Sequence, residues 1–192
     1  MTTDDFKLIP NLPKPEVEWD INKRVIVVDN VISSDMCDNI VDLVSNKVSK
    51  GINKYPHAFG ISFHSCTLSL EHEIHNLLQP VWNQAISQLG FNIEFVEPYE
   101  VKKYTSNDFF GKHVDNYYSL SKDIDRKITM SVQLTDSSEY TGGDLLVLGR
   151  NIGGKSKGSV TLFPSTFAHE VTLVKSGVRW SLIGWAWGPY WR

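Results

Sequence analysis

Apolar residues recur at helical spacing in two stretches within the first 90 residues. The stripe from Ile40 to Val48 predicts an amphipathic helix over "SDMCDNIVDLVSNKVSK" that ends at Gly51. A second stripe, in "EHEIHNLLQPVWNQAISQLG", predicts a helix that stops at Gly90 and is kinked or split at Pro80. Both helices are polar on one side, so we expect them to cover one face of a larger core.

Strand patterns dominate the rest of the chain. The run "RVIVVDNVI" precedes the first helix and predicts a buried strand. After Gly90 come "FNIEFVEPYEVKKY", "RKITMSVQL", "GDLLVLG", "SVTLFP", "HEVTLV" and "RWSLIGWAW", with turns expected at "SSEYTGG", "NIGGKSKG" and "VKSG". Many short strands with no helices between them predict an α+β, mainly β fold: a double-stranded β-helix, or jelly roll, flanked by the N-terminal helices.

Length and composition favour one packed domain. The 192 residues are 41% hydrophobic and 21% charged, which is typical of a globular protein with a real core. We expect residues 1–24, rich in proline, to form an extended arm, residues 25–90 to supply supporting helices and strands, and residues 91–192 to form the jelly-roll core.

Charge and cysteine content exclude several classes of function. The net charge of −3 gives no basic surface for nucleic acid, and no apolar run is long enough to cross a bilayer. The N-terminus begins acidic and polar, unlike a secretory signal. Cys37 and Cys66 lie far apart and form no Cys-x-x-Cys pair, so no disulfide framework is expected. A soluble, cytoplasmic protein without membrane or nucleic-acid partners is the simplest interpretation.

The segment "FFGKHVDNYY" places a histidine and an aspartate two residues apart. If this segment is extended, His113 and Asp115 project to the same side. His169 begins a later predicted strand, directly after the loop "FPST". Two histidines and one carboxylate leave three coordination positions open, as in non-haem Fe(II) sites, whereas a closed structural zinc site normally has a fourth protein ligand. His72 and His75 are a weaker candidate for a shared metal because both fall on the polar side of the second helix.

An arginine interrupts the apolar run of the last strand. Burying the charge of Arg179 costs several kcal/mol unless an anion meets it. That anion is either an internal carboxylate or a bound ligand, and the isolated residue does not distinguish the two. Trp185 shares the face of Arg179 and is a candidate to border the same pocket.

Three motifs carry a family resemblance. With "HVDN", "YTGGDLLV" and "HEVTLVKSGVRWSLIGW", the chain from about Glu97 to Trp187 resembles the Fe(II)/2-oxoglutarate-dependent dioxygenases, and among them the prolyl 4-hydroxylase-like group. The resemblance implies an iron site at His113, Asp115 and His169, and a cosubstrate anchor at Arg179. It also implies supporting contacts to the cosubstrate from Tyr104 and Ser181, each of which is alternatively a packing residue. Gln133 is unassigned.

The resemblance further implies a reaction. Fe(II), 2-oxoglutarate and O2, with ascorbate as an optional addition, would hydroxylate an unactivated C–H bond and release succinate and CO2. Peptidyl proline is the first choice of substrate, and a peptide or protein the expected partner. The alternatives are a free amino acid or small metabolite, a non-catalytic jelly-roll binding module, and a cupin-type metalloenzyme, although the His-x-His pattern of cupins is missing. Nucleic-acid demethylases of this class carry a second arginine where this chain has Trp185.

The polar segment "NYYSLSKDIDRK" is either a loop that closes over substrate or a surface connection.

Overall fold

The computed structural model describes residue 20 and residues 23–50, 61–116 and 123–190. Residues 1–19, 21 and 22 of the predicted N-terminal arm lie outside these ranges, as do residues 117–122, which are half of the candidate closing loop. The described residues form two helices, α1 (Ser34–Val44) and α2 (Ile74–Leu89), and fourteen strands: β1 (Ile26–Val28), β2 (Ser49–Lys50), β3 (Ile61–Ser62), β4 (His64–Leu68), β5 (Phe95–Val96), β6 (Tyr99–Tyr104), β7 (Phe109–His113), β8 (Ile124–Gln133), β9 (Tyr140–Gly142), β10 (Leu145–Val147), β11 (Val160–Pro164), β12 (His169–Val171), β13 (Val174–Gly177) and β14 (Arg179–Pro189).

The strands pair antiparallel in three sheets. The largest has the order β1-β11-β8-β14-β6-β4-β2, with β5 also pairing with β14. A second sheet has the order β10-β12-β7-β3, and β13 pairs with β9 in a third. The predicted mainly β architecture with two preceding helices is therefore confirmed.

Side chains alternate along the central strands between the core and a cavity. On β8 and β14 the residues that join the main apolar core are Ile128, Met130, Val132, Trp180, Leu182 and Ala186. Their neighbours Thr129, Ser131, Arg179, Ile183 and Trp185 instead line a cavity between the two larger sheets. The two-residue period of a strand produces this division, and it aims every second side chain at the site described below.

Helix α1 is shorter than the sequence pattern predicts. It begins after Ser33, whose side chain accepts a hydrogen bond from the backbone N–H of Met36 at 3.2 Å. It ends at Val44 rather than at Gly51, because the following residues turn and Ser49–Lys50 pair with β4 as strand β2. The predicted boundary was wrong because this strand pairing is non-local.

Helix α2 ends where the sequence predicts. Gly90 has φ of 72°, and its N–H donates to the carbonyl of Ile86 at 3.0 Å. The helix runs through the exposed Pro80 without being split. His72 and His75 each use Nδ1 within the protein: Nδ1 of His72 accepts from the N–H of Ile74, and Nδ1 of His75 lies 2.9 Å from the Tyr99 hydroxyl.

Two segments expected to be turns are strands. "SSEYTGG" contains β9 and "VKSG" is β13, and the two pair with each other. Gly177 has φ of 78°, and an added Cβ would lie 2.1 Å from the carbonyl oxygen of Glu139, so glycine is required at this pairing. The turn composition was recognised, but the partner segment more than 30 residues away was not, since pairing across that distance leaves no local signal.

The main apolar core lies between the helices and the large sheet. It includes Ile40 and Cys37 from α1, Leu78 and Trp82 from α2, and Tyr99 from β6, each essentially inaccessible to solvent. No helix in the part of the chain that the structure describes is long and apolar enough to span a membrane.

Candidate metal and cosubstrate site

The two histidines predicted as metal ligands face each other across a strand pair. In the antiparallel pairing of β12 with β7, His169 is directly opposite His113. Asp115 lies two residues past the end of β7, so the expectation that one strand carries both His113 and Asp115 is wrong in detail. The backbone N–H of Asp115 donates to the carbonyl of Ser165 at 2.9 Å, which fixes the chain there.

The three side chains meet at one point. Nε2 of His113 lies 3.4 Å from Oδ1 of Asp115, and Nε2 of His169 lies 3.3 Å from Oδ2. The three ligand atoms are all within 4.8 Å of one another. Among the described residues, this is the cluster of three histidine, cysteine or acidic side chains that could hold a metal ion. Sequence spacing alone did not bring the distant His169 to this point; the β7–β12 pairing does.

Backbone carbonyls orient both imidazoles. Nδ1 of His113 lies 2.8 Å from the carbonyl oxygen of Gly111, and Nδ1 of His169 lies 2.9 Å from that of Phe167. A carbonyl only accepts, so each Nδ1 carries the proton and each Nε2 keeps its lone pair for a metal. The Phe110 ring stacks on the His113 ring with 3.8 Å between centroids, which restricts its rotation. This is the usual second layer of a histidine metal site.

Asp115 is buried and held by two donors. The hydroxyl of Thr129 donates to its Oδ2 at 2.8 Å, and the indole N–H of Trp185 donates to the same oxygen at 2.9 Å. Burial by itself would raise the pKa of Asp115, but His169 and His113 outweigh it and hold the pKa well below the ordinary carboxyl range. Burial also lowers the pKa of His113, which favours the neutral imidazole that a metal requires.

Arg179 lies in the same cavity, and no carboxylate of the described residues is within ion-pair distance of its guanidinium. Its side chain is 3% exposed, and Nη1 is 3.4 Å from the hydroxyl oxygen of Ser181. Of the two partners left open by the sequence, the internal carboxylate is therefore not found. Arg179 is separated from β12 by β13, so it is on the second strand after His169 rather than the next.

Tyr104 and Ser181 both lie beside Arg179. Tyr104 is opposite Arg179 in the β6–β14 pairing, and its ring centroid is 5.5 Å from the guanidinium carbon. It lines the cavity, and burial raises the pKa of its hydroxyl. Ser181 is fully buried and contacts Arg179, but it is not among the described residues that line the cavity.

A single cavity joins these groups. Its wall contains all three metal-ligand candidates, Tyr104 and Arg179, and also Trp185, which the sequence suggested as a border residue. The predicted site residues are thus brought together with the exception of Ser181, which is one contact away.

Two functional candidates are among the wall residues that the sequence did not identify. Thr129 holds Asp115, and Lys102 projects into the cavity from β6. The polar alternation in "ITMSVQL" was a usable signal for Thr129, while nothing in "EVKKY" distinguished Lys102 from Lys103. Gln133, left unassigned, donates to the Tyr140 hydroxyl at 2.9 Å and borders a smaller cavity behind Arg179.

Comparison with known proteins agrees with this geometry. Residues 99–187 match the family model described as the 2OG-Fe(II) oxygenase superfamily. This stretch of the chain is therefore similar to the oxygenases of that superfamily. It includes His113, Asp115, His169 and Arg179, and the resemblance stated from the motifs is confirmed.

Curated relatives of the oxygenase domain are PKHD-type hydroxylases. One from Prochlorococcus marinus (strain MIT 9215) is 35% identical over 79 residues, which cover 40% of this chain and 35% of the relative. Another, from Synechococcus sp. (strain CC9311), is 28% identical over 169 residues, covering 81% of this chain and 74% of the relative. The match thus spans only about a third of the first relative's length.

A solved structure shares the fold. The viral collagen prolyl hydroxylase vCPH from Paramecium Bursaria Chlorella virus-1, crystallised as its 2OG complex, superposes with a TM-score of 0.69 at 20% identity, covering 88% of this chain and 98% of that protein. The predicted jelly-roll core is therefore confirmed.

Proposed function

We propose that the chain is an Fe(II)- and 2-oxoglutarate-dependent dioxygenase whose metal ligands are His113, Asp115 and His169. The donor set supports this, because two neutral imidazoles and one carboxylate on one side of an ion are the ligands of non-haem Fe(II) oxygenases. A fourth protein ligand is not found among the described residues, so positions remain for small molecules. The convergence of these groups with the buried Arg179 in one cavity is the observation that carries the proposal.

Arg179 is the proposed anchor for 2-oxoglutarate. Its planar guanidinium can meet a carboxylate with two parallel hydrogen bonds, and burial without an ion-pair partner among the described residues favours an anionic ligand. Tyr104 and Ser181 flank the guanidinium, and each hydroxyl is a donor of the kind that a carboxylate accepts. Gln133 and Tyr140 border the space behind Arg179 and limit how deep the anchored carboxylate sits.

Bound at His113, Asp115 and His169, Fe(II) would supply the activation of O2, with 2-oxoglutarate as the co-reductant that leaves as succinate and CO2 when the substrate is hydroxylated. The chain's own residues bind, orient and shield. In the neutral form of each histidine, Nδ1 donates to a backbone carbonyl and Nε2 presents its lone pair to the ion. Asp115 stays ionised because His169 and His113 hold its pKa low against the effect of burial, and Thr129 and Trp185 orient the carboxylate by donating to Oδ2. Phe110 and Phe163, packed on the two imidazoles, keep bulk water from that side.

Proline in a peptide or protein is the proposed substrate. The supporting observation is that the relatives are named hydroxylases and the fold neighbour is named a collagen prolyl hydroxylase. Ascorbate is proposed only as an optional reductant. We propose that the described elements of residues 25–90 support the domain, because α1 and α2 cover the outer face of the large sheet.

The proposal is tested by measuring succinate formed from 2-oxoglutarate with added Fe(II). Wild-type protein is expected to form succinate only when both are present, and His169→Ala is expected to abolish this while the protein stays folded by circular dichroism. Arg179→Met is expected to raise the half-saturating 2-oxoglutarate concentration by at least about tenfold. Arg150→Met, which changes an exposed arginine on the same domain, is the matched control and leaves that concentration unchanged.

Two results would contradict the proposal. Succinate formation that persists in His169→Ala excludes the metal assignment, and an unchanged 2-oxoglutarate requirement in Arg179→Met excludes the anchor. Mass spectrometry of a proline-peptide library for the gain of one oxygen then tests the substrate class separately from the chemistry.

A further inference from the structure

The cavity wall contains a buried lysine that the reaction outlined above does not use. Lys102 lies on β6, opposite Ser181 of β14 and two residues before Tyr104, so its side chain points to the same face as Tyr104. The side chain is 4% exposed and lines the cavity together with Asp115 and Arg179. A lysine is almost never buried without a specific partner.

Aromatic rings surround the Lys102 ammonium. Nζ lies 4.6 Å from the ring centroid of Phe110, 4.8 Å from that of Phe63 and 5.6 Å from that of Trp185. Two of these rings also touch the proposed metal ligands, since Phe110 stacks on His113 and Trp185 donates to Asp115. The ammonium is therefore one side chain away from the place where iron is proposed to bind.

One carboxylate meets this ammonium from the rim. Oε2 of Glu100 lies 3.3 Å from Nζ, and the Glu100 side chain is 22% exposed and does not line the cavity. An ammonium has three N–H donors. The Glu100 carboxylate oxygen and the ring faces do not use all three, so at least one N–H can donate to a further acceptor inside the cavity.

Glu100 offsets the charge of Lys102 from outside the cavity wall. Among the cavity-lining residues themselves, Asp115 is negative, and Lys102 and Arg179 are positive. Fe(II) and the 2-oxoglutarate dianion would cancel each other, so their binding does not change this balance. An anionic group on the second substrate would meet the Lys102 ammonium from inside the cavity and take over the role of Glu100.

We propose that Lys102 binds a carboxylate of the substrate and thereby selects substrates with a carboxylate close to the reacting carbon. The proposal rests on the proposed function, because it names the substrate class of the same site. Two sources present this chemistry: the α-carboxylate of a free amino acid, and an acidic residue next to the target residue of a peptide. The Glu100 carboxylate competes with the substrate for the ammonium.

The test uses two matched pairs of probes in the succinate assay. L-proline is compared with L-prolinamide, and a short peptide containing Glu-Pro is compared with the same peptide containing Gln-Pro. Wild-type protein is expected to prefer the carboxylate member of one pair by about 10- to 100-fold in kcat/KM, as for a hydrogen bond to a charged group. The pair that shows the preference identifies the source of the carboxylate.

Variants assign the preference to the ammonium. Lys102→Met keeps the length of the side chain and is expected to reduce the preference, as the ratio of kcat/KM within each pair, to about one. Lys102→Arg keeps the charge and is expected to retain most of it. Glu100→Gln removes the competing carboxylate and is expected to strengthen it. Lys103→Met is the matched control, because Lys103 is the next residue of β6 and lies over Trp180 on the opposite face.

Several results would overturn the proposal. Wild-type protein with no preference in either pair overturns it, as does a preference that survives in Lys102→Met. Failure of all four probes to stimulate turnover overturns it as well, provided that substrate-free succinate formation is intact. If succinate never forms, the proposed function fails. The role of Lys102 is then tested without turnover, by calorimetric titration of wild-type and Lys102→Met protein with L-proline and with the Glu-Pro peptide. Equal binding by the two proteins would then contradict it.

Discussion

Replacing Thr129 with valine tests how far hydrogen bonding to Asp115 prepares the metal site. The substitution keeps the branched shape and removes only the hydroxyl that donates to Oδ2 of Asp115 at 2.8 Å. The same hydroxyl lies 3.0 Å from that of Ser165, which would lose its partner as well. Thr129 is 2% exposed, so water does not replace the missing donor without rearrangement.

The structure sets the expected magnitude. A hydrogen bond to a charged group contributes about 1.5–3 kcal/mol, and Trp185 remains as a second donor to the same oxygen, so we expect about 1–2 kcal/mol of lost stability in the metal-free protein. Removal of a residue that supports a metal ligand costs about 10- to 100-fold in metal affinity. We therefore expect weaker binding of Fe(II), or of Mn(II) as a redox-stable probe, by a factor in that range.

The assay combines metal titration by calorimetry with urea unfolding of the metal-free protein. Thr129→Ser retains the hydroxyl and is expected to bind metal nearly as wild type does. Thr161→Val is the matched control for stability: Thr161 is also 2% exposed, but its hydroxyl accepts from the N–H of Gly154, away from the ligands. It should lose stability and keep metal affinity.

A double-mutant cycle with Trp185→Phe measures whether the two donors act together. Because both bind the same oxygen of Asp115, we expect the combined loss of metal affinity to differ from the sum of the single losses by at least about 0.5 kcal/mol. Wild-type metal affinity in Thr129→Val, with Thr161→Val equally destabilised, would refute the reasoning, because the hydroxyl would then matter only for packing.

Three further predictions concern other parts of the molecule. Gly158→Ala is expected to lower the free energy of unfolding in urea by more than about 3 kcal/mol, because φ is 81° and the new Cβ would lie 1.9 Å from the carbonyl oxygen of Ile32. Gly149→Ala is the control, since Gly149 has φ of 74° but open space around it, and it should cost only about 1–2 kcal/mol. Equal losses in the two variants would contradict the steric argument. The lowered pKa of Asp115 stabilises the metal-free protein at pH values above the ordinary carboxyl pKa of about 4, and this stabilisation is lost as the pH falls through the lower folded pKa. Urea unfolding at several pH values should therefore show that acid lowers the free energy of unfolding less in Asp115→Asn than in wild type. Parallel pH profiles of the two proteins would exclude this contribution of Asp115. Tyr104→Phe should raise the half-saturating 2-oxoglutarate concentration about three- to tenfold. Tyr99→Phe is the control and should leave that concentration unchanged, because the Tyr99 hydroxyl contacts Trp82 and His75 instead. Identical saturation curves for the two variants would exclude Tyr104 from the cosubstrate site.

The local pattern of the chain determined most of the fold and the chemistry of the site. Two-residue alternation on β8 and β14 predicts which residues turn away from the core, and Gly90 predicts the end of α2. The types of His113, Asp115 and His169 and their order fit one class of metal. These features depend on neighbours within a few residues, which is the range over which a sequence pattern is informative.

Tertiary structure alone decided the details that complete the site. The pairing of β9 with β13, the position of Asp115 beyond β7, and the early end of α1 all depend on partners far along the chain. Thr129 and Trp185 both meet Asp115 because β8 and β14 are neighbours in the large sheet. Lys102 of the large sheet meets the Phe110 ring only because β7 belongs to the second sheet, on the other side of the cavity. Which lysine of "EVKKY" is buried follows from strand register, and register is set by the packing of the whole core rather than by local composition.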